Sequence, residues 1–301
     1  MRSIAGPGPK TRLYGVIGHP LGHTLSPALH NAAFAASHVD AVYVALPVEP
    51  AHLPGAIAGC RAWRLGGLNV TVPHKVAVMD HLDGLTDEAR AAGAVNTIFW
   101  RQDELWGDNT DIAGYLSMLD TGTGHGHELG IGPDTAPGHR PDTALILGAG
   151  GAARAVALAL ARCKIRAQVA ARRPEQAEAL AADVGAEAIS WESLSGHLAA
   201  AQLLINCTPV GMQPDSRSCP LSDAQIAALP PDAAVHDLVY RPLETALLAR
   251  ARARGLRTVD GGTMLVAQAA AAFSRWTGQD PPLAVMRAAF DQASEAGEVR
   301  I

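Results

Sequence analysis

Residues 143–155 read TALILGAGGAARA, and this stretch decides the fold of the chain around it. Residues 143–147 are a short apolar run of strand length, and 152–161 read as a helix. Residues 148–151 therefore make a glycine turn between the two. Gly148, Gly150 and Ala153 stand in a G-x-G-x-x-A arrangement. In such an arrangement the first position permits a tight turn and the second lets backbone approach a pyrophosphate. The small third residue lets helix and strand pack closely. The loop backbone from Gly148 through Ala149, Gly150, Gly151 and Ala152 then faces a diphosphate, aided by the helix dipole. The pattern alone is weak, but a strand before it and a helix after it point to a dinucleotide-binding α/β domain.

The following strand, 167–171, bears on which dinucleotide is bound. Sites for NAD place Asp or Glu at the end of that strand, about 20 residues past the glycines, to hold a ribose hydroxyl. Here the strand runs into AARRPEQ, so Arg172 and Arg173 occupy the carboxylate's place, and Glu175 lies past the turn. Two guanidinium groups suit a 2′-phosphate, so the predicted cofactor is NADP.

Outward from this unit, 203–206 and 234–238 read as further strands, and 264–277 and 283–296 as helices. The first third alternates strands at 13–17, 41–46, 67–72 and 94–100 with helices at 27–37, around 52–60, at 75–82 and at 86–92. Ser26 is expected to open the first helix and Pro73 to end the third strand. Alternation of this kind predicts a mainly parallel sheet, hence an α/β chain of two domains. The segment 121–142 is Gly/Pro/His-rich and reads as a long surface loop. Its His125, His127 and His139 match no closed zinc spacing, so no metal is expected.

Composition excludes several classes. Of 301 residues 48% are hydrophobic and 18% charged, enough to fill two cores and unlike a disordered chain. The net charge of −5, with no block of Lys or Arg, argues against a nucleic-acid partner. The N-terminal MRSIAGPGPK lacks an apolar signal core, and no uninterrupted apolar run reaches membrane length. Cys60, Cys163, Cys207 and Cys219 show no paired spacing and read as free thiols, so a soluble, cytoplasmic protein is expected. Nothing distinguishes a monomer from a homodimer.

Polar residues interrupt the apolar first domain. In GGLNVTVPHK, Asn69 and Thr71 alternate with Val70 and Val72, and Lys75 follows Pro73. Asn96 interrupts GAVNT, and Asn109, Thr110 and Asp111 cluster at a turn. Together they supply an ammonium, a carboxylate and neutral hydrogen-bonding groups, gathered where strand ends of an α/β fold form a crevice. Gln268 is the one polar residue in MLVAQAAAAF, where a buried amide needs partners, whether a ligand or nearby backbone.

GHPLGHTLSPALHN, NVTVPHK, GAVNT, GDNTDIAG, GAGGAARA, NCTPVGM and DGGTMLVAQAAAAFSRWTG occur in the order found in the shikimate dehydrogenase family, which the chain resembles over nearly its whole length. The resemblance implies an N-terminal substrate domain over residues 1–112, a Rossmann-like NADP domain over 113–262, and C-terminal helices over 263–301 that return to the first. It implies a reversible NADPH-dependent reduction of 3-dehydroshikimate to shikimate, in aromatic amino acid biosynthesis. Lys75 and Asp111 would be the catalytic pair. Thr24 and Ser26 would hold the substrate carboxylate with Tyr240 assisting, and Thr71, Asn96 and Gln268 would bind ring hydroxyls. Thr208 would lie beside the cofactor, with Gly261 and Met264 bordering its nicotinamide, and Asp260 reads as a turn residue. The chemistry agrees: hydride addition to a ketone builds charge on oxygen, which an ammonium stabilises and protonates, while a neighbouring carboxylate keeps that ammonium charged.

Two positions depart from the family pattern. Thr24 stands where serine is usual, which narrows the carboxylate pocket by a methyl group, and Ala171 replaces an asparagine before the arginines. A quinate/shikimate or aminoshikimate dehydrogenase using NAD or NADP is therefore the competing reading. A non-catalytic nucleotide-binding regulator is disfavoured by the presence of both Lys75 and Asp111.

Overall fold

The computed structural model describes residues 7–22, 24–121 and 141–298. The expected loop lies almost wholly outside the described residues, as do His125, His127 and His139. The chain divides into two compact units, Met1–Thr110 with Val266–Ile301, and Asp111–Leu265. The first carries β1 (Arg12–Gly18), α1 (Ser26–Ala36), β2 (Ala41–Pro47), α2 (Leu53–Ala62), β3 (Gly67–Val70), β4 (Gly84–Leu85), α3 (Asp87–Ala92), β5 (Thr97–Arg101) and β6 (Glu104–Asp108). The second carries α4 (Asp111–Thr121), β7 (Thr143–Leu147), α5 (Gly151–Arg162), β8 (Arg166–Ala170), α6 (Pro174–Val184), β9 (Glu187–Ile189), α7 (Leu194–Leu198), β10 (Leu203–Asn206), α8 (Asp223–Ala227), β11 (Ala234–Asp237), α9 (Ala246–Ala253) and β12 (Arg257–Val259). Two last helices follow, α10 (Gly262–Thr277) across the boundary and α11 (Leu283–Glu298) in the first unit.

In the first unit the strand order is β2-β1-β3-β5-β6-β4. Pairs β1–β2, β1–β3 and β4–β6 are parallel, whereas β3–β5 and β5–β6 are antiparallel. The sheet is thus mainly parallel with an antiparallel centre. Strand β6 escapes sequence reading because its hairpin connection, Gln102–Asp103, carries no glycine. Leu68, Val70 and Ile98 fill one core with Ile57 and Leu105, and α11 packs on α1. Helix α10 is tied down at two places. The Trp276 indole N–H donates to Ile98 O at 2.9 Å, over Gly67, where a Cβ would come within 2.3 Å of the ring nitrogen. Arg275 grips the buried carboxylate of Asp108 through Nε at 2.8 Å and a terminal nitrogen at 2.6 Å.

Three local expectations are corrected. No α-helix spans 75–82; a short 3-10 turn covers Ala77–His81 instead. The Lys75 carbonyl, which helix would need, accepts from Val95 N–H at 2.7 Å. The third strand ends at Val70, not at residue 72, and Val72 is 67% exposed, so Val70 and Val72 do not share a buried face. Helix α1 starts at Ser26 itself with Leu25 as N-cap and no side-chain cap, so Ser26 lies inside the first turn rather than capping it.

In the second unit the order β12-β11-β10-β7-β8-β9 is parallel throughout. Numbered from β7, this is the doubly wound 3-2-1-4-5-6 sheet, whose crevice opens where the order reverses, between β7 and β10. Strands β7 and β10 are nearly all apolar and buried, as strands covered on both faces must be.

Candidate active site

The first unit gathers its polar residues at one end of its sheet. Strands β1 and β3 end there, β5 starts there, and β6 ends there, because β5 runs against its neighbours. Thr24 and Ser26 follow β1, and Thr24 Oγ1 accepts from Ser26 N–H at 3.3 Å. Thr71 follows β3, with its amide on Ile17 O at 2.9 Å. A Cβ on Gly18 would come within 2.4 Å of Thr71 Cγ2, so glycine is what lets the two strand ends close up. Thr71 O accepts from His74 N–H at 2.9 Å, and the His74 ring meets Val48 O at 2.6 Å, which pins the turn preceding Lys75. Asn96 is buried, and its Oδ1 accepts from Thr110 N–H at 2.8 Å. Its Nδ2 faces Thr110 Oγ1 at 2.9 Å and Gln268 Oε1 at 3.4 Å. Gln268, on α10, thus joins the cluster from far along the chain.

Asp111 is buried in the first turn of α4, where a helix N-terminus stabilises a carboxylate. It and Tyr240, half-buried beyond β11, belong to the second unit. There, all strands run one way and their carboxyl ends share an edge. Gly148, at φ +104, opens the turn after β7, and a Cβ there would lie 3.1 Å from Thr208 Cγ2. Gly150 caps α5, with open space where its Cβ would be and no side-chain cap on the helix. Thr208 is held by Asn206, whose Oδ1 accepts from Thr208 N–H at 3.0 Å and from its hydroxyl at 2.6 Å. Asn206 in turn donates to Asp237 at 2.9 Å, and Thr245 donates to the other carboxylate oxygen at 2.7 Å. Burial raises Asp237 to about 6 against these hydrogen bonds. A Cβ on Gly261 would meet Leu238 O at 2.3 Å, and Met264 is buried in the first turn of α10. Asp260 accepts from Gly262 N–H at 2.8 Å, as a turn residue does.

Comparison with known proteins follows the same division. Residues 16–98 match the shikimate dehydrogenase substrate binding domain, residues 134–212 the shikimate/quinate 5-dehydrogenase model, and residues 261–289 the shikimate 5′-dehydrogenase C-terminal domain. The shikimate dehydrogenase (NADP(+)) of Symbiobacterium thermophilum is 47% identical over 294 residues, 94% of each chain. The chain belongs to the shikimate dehydrogenase family. The Thermus thermophilus shikimate 5-dehydrogenase, solved with NADP(H) and shikimate, is 38% identical with a TM-score of 0.81, covering 94% of this chain and 100% of that one. A Corynebacterium glutamicum quinate dehydrogenase, solved with NAD, is 31% identical with a TM-score of 0.80, covering 94% and 99%. The shikimate dehydrogenase fold thus serves two substrates and two cofactors, and side chains must choose between them.

On the cofactor side of this shikimate dehydrogenase family member, the residues fit a phosphorylated dinucleotide. The open Gly150 and uncapped α5 leave room and amides for a diphosphate. Arg172 and Arg173 are exposed past β8, and among the described residues neither has an ion-pair partner. Among the described residues no group of three or more His, Cys, Asp or Glu is placed to hold a metal, and no helix is long and apolar enough to cross a membrane.

Sequence reading passed over Thr97 and Asp108, both buried beside Asn96, and the Asn206–Asp237–Thr245 chain beneath Thr208. One signal was there to use: each is a polar residue beside or at the end of an apolar strand, the same mark that singled out Asn96.

Proposed function

We propose that the chain catalyses the reversible NADPH-dependent reduction of 3-dehydroshikimate to shikimate. The observation that carries this reading is the buried Asn96–Gln268 amide pair, two neutral hydrogen-bonding groups converging from distant parts of the chain on a cluster of buried polar residues. A polyhydroxylated ring uses such groups, and the chain-long similarity to shikimate dehydrogenases (NADP(+)) supports that ring being shikimate. On this reading residues 1–112, with 263–301, bind substrate and 113–262 bind the nucleotide.

NADPH, when bound, supplies the hydride. The chain's residues supply the rest. Lys75, its backbone fixed on Val95, stabilises the oxygen that gains charge and delivers its proton, and Asp111 completes the catalytic pair. Thr24 and Ser26 hold the ring carboxylate with Tyr240, and Thr71, Asn96 and Gln268 hold ring hydroxyls. Gly148 to Ala152 cradle the diphosphate, Arg172 and Arg173 bind the 2′-phosphate, and Thr208, Gly261 and Met264 border the cofactor. The four cysteines are free, which suits a reducing cytoplasm.

Steady-state kcat/KM for shikimate and quinate with NADP+ and NAD+ tests the reading. Shikimate with NADP+ is expected to lead; a preference of tenfold or more for quinate with NAD+ overturns it.

A further inference from the structure

Arg241 is half-buried beyond β11, and its Nε is shut away from solvent with no hydrogen-bond partner. Among the described residues its side chain makes no ion pair either. The other half-buried arginines are all engaged: Arg61 holds Asp83 at 2.6 Å, Arg154 holds Asp183 at 2.6 Å, and Arg257 donates to Asp232 O at 3.0 Å. Acidic groups on the neighbouring loops are already taken. Glu244 pairs with Arg252, Asp215 accepts from the Ser218 hydroxyl, and Asp260 accepts from Gly262 N–H. Arg241 is thus left with a donor that has given up water and gained no acceptor, which is costly. Its backbone, by contrast, is fastened. The Asp237 carboxylate closes the base of the loop, accepting from Val239 N–H at 3.1 Å at one end and from the Thr245 hydroxyl at 2.7 Å at the other. At Arg241 itself the carbonyl accepts from Gln213 N–H at 3.1 Å, which joins this loop to the one after β10. The costly donor is therefore held at the carboxyl edge of the sheet, where ligands of doubly wound folds bind, and in the second of its two mononucleotide-binding halves.

We propose that Arg241 is a ligand-binding residue: its Nε and a terminal nitrogen fork onto an oxyanion of the bound ligands. Two groups carry that chemistry here, the cofactor diphosphate and the ring carboxylate that the neighbouring Tyr240 is proposed to meet. The proposal deepens the reading above and rests on it, and its test separates the two sources and the two ideas.

Arg241→Met keeps a long side chain without donors, and Arg241→Lys keeps the charge without the fork. Arg241→Met is expected to raise one KM about tenfold or more, the scale of a charge-assisted hydrogen bond, and Arg241→Lys to recover part of the loss. Equal rises for NADP+ and NAD+ with shikimate unmoved assign the diphosphate, which both cofactors carry. A rise for shikimate alone, with the variant no worse than the wild type on the methyl ester of shikimate, assigns the carboxylate. The thermal midpoint of the ligand-free protein should not fall in Arg241→Met, since no bond is lost. Unchanged KM values, in a protein whose wild type oxidises shikimate, overturn the role of Arg241 and leave the reading standing. A loss that follows a lowered midpoint and that lysine does not relieve also overturns it, because the side chain would then only support the loop. A wild type that oxidises no shikimate fails the reading itself, and this proposal with it.

Discussion

Asn96 and Gly150 stand at comparable places, each at the polar or glycine-rich end of its own sheet, and on the proposed reading they prepare for a ligand by opposite means. Around Asn96 the first unit uses side chains, buried and bonded to one another so that each amide faces one way. Around Gly150 the second unit uses the absence of side chains, with backbone amides at a helix start and two exposed arginines beyond. The difference follows from what is to be bound. A ring with several hydroxyls is told from its relatives by the direction of each hydrogen bond, and buried polar groups left unpaired by a wrong ligand are costly. A diphosphate needs only charge, donors and room.

The contrast can be broken most severely at Lys75, the residue proposed to handle the proton. Lys75→Ala is expected to lower kcat by about 100-fold or more with shikimate binding retained, on the scale of general acid–base catalysis. Unchanged kcat in steady-state assays would remove Lys75 from the chemistry.

Acid should separate the units themselves. Burial pushes His30 in the first unit down to about 3, with Asn69 acting weakly against it, and burial with Arg257 does the same to His236 in the second. Below an ordinary histidine value of about 6.5 the unfolded chain takes up a proton that neither buried ring accepts, so each costs stability as pH falls toward 3, by about 1.4 kcal/mol per pH unit. Asp237 runs the other way. Between about 4 and 6 it holds a proton in the folded state that the unfolded chain has released, so it gains stability as pH falls and offsets His236. In the first unit Asp83 instead adds to the loss as pH falls, its carboxyl held below the ordinary value by the Arg61 hydrogen bond. Hydrogen exchange resolved along the chain should therefore show the first unit loosening first between pH 6 and 4, and simultaneous loosening would contradict this.

Smaller changes sharpen the picture of the glycine turn. Gly148→Ala places a Cβ at φ +104 and against Thr208, at a cost of about 1–3 kcal/mol, readable in the denaturation midpoint. Replacing Arg172 and Arg173 together by Ala should raise the KM for NADPH about tenfold and barely alter that for NADH. An equal effect on both cofactors would mean that the arginines do not read the 2′-phosphate.

Legibility in the sequence followed the same divide. Strand β10 reads directly, and β7 with its glycine turn nearly so, since a parallel strand covered on both faces is a plain apolar run. Asn96 and Gln268 stood out against apolar surroundings, but their meeting at 3.4 Å joins the residue just before β5, a strand expected over 94–100 that starts at Thr97, to α10 across 172 residues, which no local pattern encodes. Lys75 was found, yet placed on a helix, because the amide that captures its carbonyl belongs to Val95 in another segment. Thr97 was missed because threonine is ordinary in a strand; only the register, setting it opposite Asn69, reveals its bonds.

The grip of Arg275 on Asp108 has a bearing on how the protein is made. The two residues lie 167 positions apart, and the second unit is encoded between them. At ribosomal rates of about 5–20 residues per second, Asp108 emerges roughly 10–30 s before its guanidinium partner. During that interval the nascent first unit has Gly67 without its indole and a carboxylate without the cation that allows it to be buried. The N-terminal sheet is thus translated first and completed last, so a released chain truncated between residues 266 and 275 should display a finished second unit tethered to a protease-sensitive first one.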